Sequence, residues 1–186
     1  YDDLAVSAAY YDLSDGNEGK VYVYLGSATG LSTTPSWVST GDGQANACFG
    51  NALAFGDVNN DGYDDLVVAS QGYDAGTGNE GKVYLYLGSS SGLSSTPVWT
   101  YVCSQPNAYF GSALAFGDVN NDGYDDLAVG AKYYDANTTN EGIVYLYSGS
   151  ATGLTSTPTW SSAGTQPNAR FGSALAFGDV NNDGYD

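Results

Sequence analysis

The 186-residue chain has no histidine and no methionine, and only four of its residues are Lys or Arg. Without histidine it lacks the commonest general base and the commonest zinc ligand. Four basic side chains against 21 Asp and Glu leave a net charge of −17, so the cationic footprint that grips a phosphate backbone is missing. The same deficit rules out a polybasic membrane contact, and no apolar run approaches the length of a spanning helix. Neither nucleic acid nor membrane insertion is therefore expected. Cysteine is scarce as well, with Cys48 and Cys103 the only two. They occupy different positions in the pattern described below, and the sequence fits a disulfide and a pair of free thiols equally well. A chain that starts at Tyr1 without Met is expected to be processed or a piece of a longer one.

What is present is glycine (26), tyrosine (17) and a repeat. Hydrophobic residues make up 42% of the chain, which argues for a packed core and against disorder. The string Gly-Asp-Val-Asn-Asn-Asp-Gly-Tyr-Asp begins at Gly56, Gly117 and Gly178, 61 residues apart each time. Tyr1–Val6 recurs in closely similar form at Tyr63–Val68 and Tyr124–Val129. Three units follow, at 1–62, 63–123 and 124–184, and residues 185–186 start a fourth.

Each unit reads as four short strands. The first is Ala52–Phe55, with counterparts at Ala113–Phe116 and Ala174–Phe177; the second follows an acidic turn, as at Asp126–Ala131. The third, at Val21–Leu25, Val83–Leu87 and Val144–Tyr147, alternates aliphatic residues with tyrosine, the pattern of a strand packed on both faces. A Gly-Ser-x-x-Gly-Leu turn leads to the fourth, around Trp37, Trp99 and Trp160. The expected fold is all-β, with tandem four-stranded antiparallel sheets in the manner of β-propeller blades. The three units belong either to a larger ring or to a linear array. A β-sandwich would give no reason for the 61-residue period.

The acidic turn carries the chemistry. From Asp57, oxygen-bearing side chains fall at positions 1, 3, 5 and 9 (Asp57, Asn59, Asp61, Asp65), Gly62 stands at 6, and the Tyr63 carbonyl is available at 7. This is the ligand spacing of a calcium loop, although strands flank it and no Glu stands at position 12. Hard oxygen donors suit Ca²⁺. The second set is Asp118, Asn120, Asp122, Tyr124 (carbonyl) and Asp126. A third starts with Asp179, Asn181, Asp183 and Tyr185 and stops before position 9, while Asp3 occupies position 9 of the half-turn at the N-terminus. An Asx-rich turn would explain one such loop, but not its recurrence with the same donors.

The run Phe110-Gly111, Gly117–Ala131, with Tyr133-Tyr134-Asp135, Glu141–Tyr147 and Gly149–Leu154, resembles the FG-GAP repeat of the integrin α-subunit propeller and its bacterial relatives. The match covers essentially the whole chain, although the Gly-Ala-Pro position reads Ser7-Ala8-Ala9, Ala69-Ser70-Gln71 and Gly130-Ala131-Lys132, without proline. The resemblance implies blades, Ca²⁺ in the acidic turns and adhesion at a cell surface. No enzyme is expected, since carboxylates that recur in every unit do not make a single catalytic site. The expected function is an extracellular calcium-binding module, structural or adhesive, with a protein or glycan ligand. One alternative is a filament subunit that continues or self-associates through its repeats. Another is a lectin, with tyrosines stacking on sugars between units. Asn137-Thr138-Thr139 is a glycosylation sequon, and the Ser/Thr-Pro runs before each Trp are candidate O-glycan sites.

Overall fold

The computed structural model describes residues 1–14 and 16–185. Asp186, the second residue of the fourth unit, lies outside the described residues. Eleven strands form three antiparallel sheets, with no helix among the described residues. The first sheet is β1 (Leu4–Ala8), β2 (Lys20–Tyr24) and β3 (Trp37–Ser39). The second is β4 (Leu53–Gly56), β5 (Asp65–Ser70), β6 (Lys82–Tyr86) and β7 (Trp99–Val102). The third is β8 (Phe110–Gly117), β9 (Asp126–Ala131), β10 (Ile143–Tyr147) and β11 (Trp160–Ala163). In all three the strands are neighbours in chain order, and the sheets do not close into a ring. The sheets also straddle the sequence units. Each four-stranded sheet takes its first strand from before the acidic turn and the other three from after it.

Successive side chains on a strand point to opposite faces, so a strand buried on both faces needs apolar residues throughout. All six residues of β5 are buried. Leu66 and Val68 join Val21, Val23, Phe49, Tyr84 and Tyr86 in a core toward the first sheet. Val67 and Ala69, with Val83 and Leu85, join Phe110, Leu127, Val129 and Tyr147 toward the third. Each fully buried Val or Leu contributes about 1.5–3 kcal/mol, which makes the second sheet the stabilising centre of the stack. The tyrosine alternation read in the sequence is thus one face of β6, packed through aromatic rings.

The tryptophan that opens the fourth strand bolts each sheet to the next. Trp37 meets Tyr86 edge-on at 4.9 Å between centroids, and its indole N–H donates to the Ser94 carbonyl at 3.0 Å. Trp99 repeats both contacts one sheet on, meeting Tyr147 at 5.2 Å and donating to the Thr155 carbonyl at 3.1 Å. The Ser/Thr-Pro runs are therefore acceptors in the contact between sheets. The four cationic side chains also rest on tyrosines: Lys20 over Tyr11, Lys82 over Tyr84, Lys132 over Tyr133, and Arg170 over Tyr133.

Two expectations are corrected. Ala174–Phe177 is not a strand: no described segment pairs with it to form a ladder. For the matching reason the first sheet has three strands, with β1 at its edge. Both thiols are free; Cys103 is buried and Cys48 half-buried, and burial pushes both pKa values up.

Candidate metal-binding turns

Each acidic turn folds around its own carboxylates. Asp57 accepts from the Asp61 amide at 3.1 Å and the Gly62 amide at 2.8 Å, and Asp61 accepts from the Tyr63 amide at 3.0 Å. The Asn59 side-chain oxygen takes a second bond from the Asp61 amide at 3.2 Å. Asp118, Asn120 and Asp122 make the same bonds to the amides of Asp122, Gly123 and Tyr124, at 2.7–3.1 Å. The backbone must turn left-handed twice: at position 4 (Asn60 φ 53, Asn121 φ 54, Asn182 φ 58) and at position 6 (Gly62 φ 85, Gly123 and Gly184 φ 87). Asn and Gly are the residues that tolerate this.

Position 9 differs from the others. Asp65 and Asp126 open β5 and β9, and both are fully buried. Asp65 ties the turn to the rest of the sheet, accepting from the Val58 amide at 3.0 Å and the Gly88 amide at 2.7 Å. Burial pushes its carboxyl up to about 6; those two amides pull against that, and the charges of Asp57 and Asp61 add to it. Asp126 Oδ1 accepts from the Gly149 amide at 2.8 Å, its Oδ2 is buried, and the Val119 amide, the counterpart of Val58, acts with Gly149 to favour the ionised form. Burial raises its pKa too, and the charges of Asp122 and Asp118 raise it further.

The third turn keeps the aspartate bonds: Asp179 accepts from the Asp183 and Gly184 amides, and Asp183 accepts from the Tyr185 amide. Asp3 makes the bond typical of position 9, accepting from the Gly26 amide at 2.8 Å. It does so in the first sheet, at the far end of the stack from 179–185, so the chain does not bring these halves together. Adjacent turns do meet. The Asp57 amide donates to Asp125 Oδ2 at 2.9 Å, and the Asp125 amide donates back to the Asp57 carbonyl at 3.1 Å.

Among the described residues no three His, Cys, Asp or Glu side chains form a ready metal cage. The bonds above account for this, because the carboxylates face backbone amides and two of the five donors in each turn are an amide oxygen and a carbonyl. The donor set still fits a hard cation. It is all oxygen, it carries three carboxylates per complete turn, and the one at position 9 of each is fully buried.

Sequence reasoning missed a second acidic element, at the other end of each sheet. Glu18, Glu80 and Glu141 are buried in the loops that lead into β2, β6 and β10. Glu80 accepts from the Ala75 and Thr77 amides, at 3.0 and 2.9 Å, and from the Thr77 hydroxyl. Glu18 accepts from the amides of Leu13 and Ser14, and Glu141 from the Asn137 amide and the Thr138 hydroxyl. Burial acts to raise the Glu80 carboxyl, but the Thr77 hydroxyl and the surrounding amides outweigh it and hold the pKa at about 2. The signal was the recurrence of Asn-Glu-Gly at 17–19, 79–81 and 140–142. Its glycine has no room for a side chain, since a Cβ on Gly81 would lie 2.2 Å from the Phe110 carbonyl oxygen.

Against known proteins, the FG-GAP repeat model matches residues 49–86 and 110–147. Phosphatidylinositol-glycan-specific phospholipase D of Bos taurus is 38% identical over 144 residues, which is 72% of this chain and 17% of that protein. Integrin alpha-6 of Homo sapiens is 35% identical over 145 residues, 76% of this chain and 12% of the integrin. Integrin alpha-8 of Gallus gallus is 38% identical over 116 residues, covering 59% and 11%. The chain therefore spans less than a fifth of the length of these relatives.

Proposed function

The chain carries FG-GAP repeats, and from that premise we propose that it is an extracellular, adhesion-type β-propeller module whose acidic turns hold Ca²⁺ as a structural ion. The observation that carries the calcium reading is the fully buried carboxylate at position 9 (Asp65 and Asp126), its pKa raised by burial and by two neighbouring carboxylates in a turn of hard oxygen donors that recurs along the chain. Asp57, Asn59, Asp61, the Tyr63 carbonyl and Asp65 would hold one ion. Asp118, Asn120, Asp122, the Tyr124 carbonyl and Asp126 would hold another. The cation would offset the charges that now raise the pKa of Asp65 and Asp126, and would brace the hairpin against its neighbour through the Asp57–Asp125 contact.

The module is read as non-catalytic. Its clustered carboxylates repeat and serve backbone amides, and the similarity to the phospholipase covers too little of that protein to bring its activity along. The adhesive and cell-surface part of the reading rests on the integrin relatives, and the ligand would be a protein or a glycan. The test is metal analysis of the purified chain with thermal melts in calcium and in EGTA. About two Ca²⁺ per chain and a higher melting temperature in calcium are expected. No bound metal and superimposable melts would overturn the reading.

A further inference from the structure

The two complete acidic turns are joined to each other through their backbones. Tyr124 and Asp125 share one planar peptide, with the Tyr124 carbonyl, at position 7 of the second turn, on one side and the Asp125 N–H on the other. That N–H donates to the Asp57 carbonyl at 3.1 Å. The Asp57 carbonyl in turn shares a peptide with the Val58 N–H, which donates at 3.0 Å to Oδ2 of Asp65, position 9 of the first turn. Two peptides and two hydrogen bonds therefore connect a candidate ligand of one turn to a candidate ligand of the other.

Asp125 closes the same junction a second time, because its Oδ2 accepts from the Asp57 amide at 2.9 Å. A third bond starts beside the buried ligand of the second turn. Gly149, whose amide donates to Asp126 Oδ1 at 2.8 Å, is followed by Ser150, whose amide donates to the Val58 carbonyl at 3.1 Å. All four backbone polar groups of Asp57 and Val58 are thus bound, one by Asp65 of their own turn and three by Asp125 and Ser150. Glycines permit the close approach. A Cβ on Gly149 would lie 2.5 Å from the Asp125 carbonyl oxygen and 2.9 Å from that of Val58, and a Cβ on Gly56 would lie 2.9 Å from Asp125 Oδ2. The Val58 side chain is fully buried, in one core with Leu127, Tyr147 and Leu154.

We infer that the two turns bind calcium as a coupled pair, and that Asp125, which stands outside the ligand set, is the positioning residue that links them. The inference rests on the calcium reading above. Occupancy of either turn fixes its own ligands, and the peptide at 124–125 or 57–58 then holds the backbone of the other turn. Charge at one end of a hydrogen-bonded chain also strengthens the bonds further along it. The first ion therefore leaves less ordering for the second, and by linkage the gain is the same whichever turn fills first. Repulsion between the two cations opposes this. It is screened within about 10 Å at 0.1 M salt, whereas the hydrogen-bonded link is not.

The test is a calorimetric calcium titration of the 186-residue chain at about 0.15 M salt, beside Asp61→Ala and Asp122→Ala, which each disable one turn without touching the junction. The product of the parent's two association constants is expected to exceed the product of the two single-turn constants by about fivefold or more. With Asp125→Ala added to all three proteins, that ratio is expected to fall close to one. Asp125→Asn, which keeps an oxygen for the Asp57 amide, should retain most of it. Lost stability cannot mimic the fall, since binding that drives folding raises the ratio. Two ions with a ratio near one in the parent, or a ratio unchanged by Asp125→Ala, would overturn the coupling and leave the calcium reading standing. No bound calcium would overturn both. The parent's ratio is read without the Asp125 variants, so an Asp125→Ala chain that fails to fold leaves that criterion in force.

Discussion

The second sheet carries a carboxylate-centred loop at each end, and the chain completes only one of them. Around Glu80 every bond comes from the same short loop, two amides and a hydroxyl, and the carboxyl is stabilised as an anion with its pKa near 2. Around Asp65 the amides are present too, but burial and the charges of Asp57 and Asp61 overcome them and push the pKa to about 6. Burial alone therefore does not decide the state of a carboxylate. What decides it is whether its neighbours are donors or other carboxylates. The glutamate loop needs nothing further, whereas the aspartate turn gathers negative charge that a cation would relieve.

The largest expected effect comes from breaking the completed loop. Glu80→Ala leaves two amides and a hydroxyl without their acceptor in a part-buried loop, and at about 1 kcal/mol for each bond should cost about 3 kcal/mol in urea unfolding. The measurement belongs in EGTA, so that no cation contributes. A loss below about 1 kcal/mol would mean that water replaces the carboxylate and that the loop is less closed than its bonds imply.

Calcium addresses the other end. At free calcium about a hundredfold above the dissociation constant, each occupied turn should add about 2.7 kcal/mol. Asp122→Ala should lose the increment of its own turn, whereas Glu80→Ala should keep the full increment while remaining less stable throughout. A calcium increment that shrank in Glu80→Ala would show the two ends to be coupled through β5.

A smaller and graded effect is expected with pH. The folded pKa of Glu80 lies below its ordinary value of 4.5, so its ionised form stabilises the fold above pH 4.5, and that contribution is lost as pH falls toward about 2. The stability gap between the parent and Glu80→Gln should therefore be constant from pH 7 to about 5 and close below that. Unfolding curves across this range would reveal a constant gap if the glutamate acted only by filling space.

Much of this arrangement was legible in the sequence. The 61-residue period, the tyrosine alternation of β6 and the Asp-x-Asn-x-Asp-Gly spacing each follow from a local rule, and the strands and turns stand where those rules put them. Ala174–Phe177 was not legible as an exception. Its letters match those of a strand, but a strand also needs a ladder partner, and no described segment pairs with it. Glu80 was hidden for a different reason. A glutamate between Asn and Gly reads as a solvated turn, and its burial follows from the close approach of the Phe110 backbone to Gly81, a contact made across 29 positions of sequence. The three-sheet stack and the bonds that the Asp125 carboxylate and amide make to the Asp57 backbone likewise depend on contacts between sheets, which no single unit encodes.

The smallest expected effect asks whether the aspartate turn is organised before any cation arrives. Asn121 sits at φ 54, where a residue with a Cβ and no compensating side chain pays about 1–2 kcal/mol, so Asn121→Ala should destabilise by about 1 kcal/mol and Asn121→Gly by only a few tenths. The same left-handed conformation recurs at Asn182, in a turn without position 9, which shows that the amide bonds of Asp179 and Asp183 suffice to set it. The Asn121→Ala penalty should then be equal in EGTA and in calcium. A penalty confined to calcium would mean that the ion shapes the turn, and the aspartate end would differ from the glutamate end in its backbone as well as in its charge.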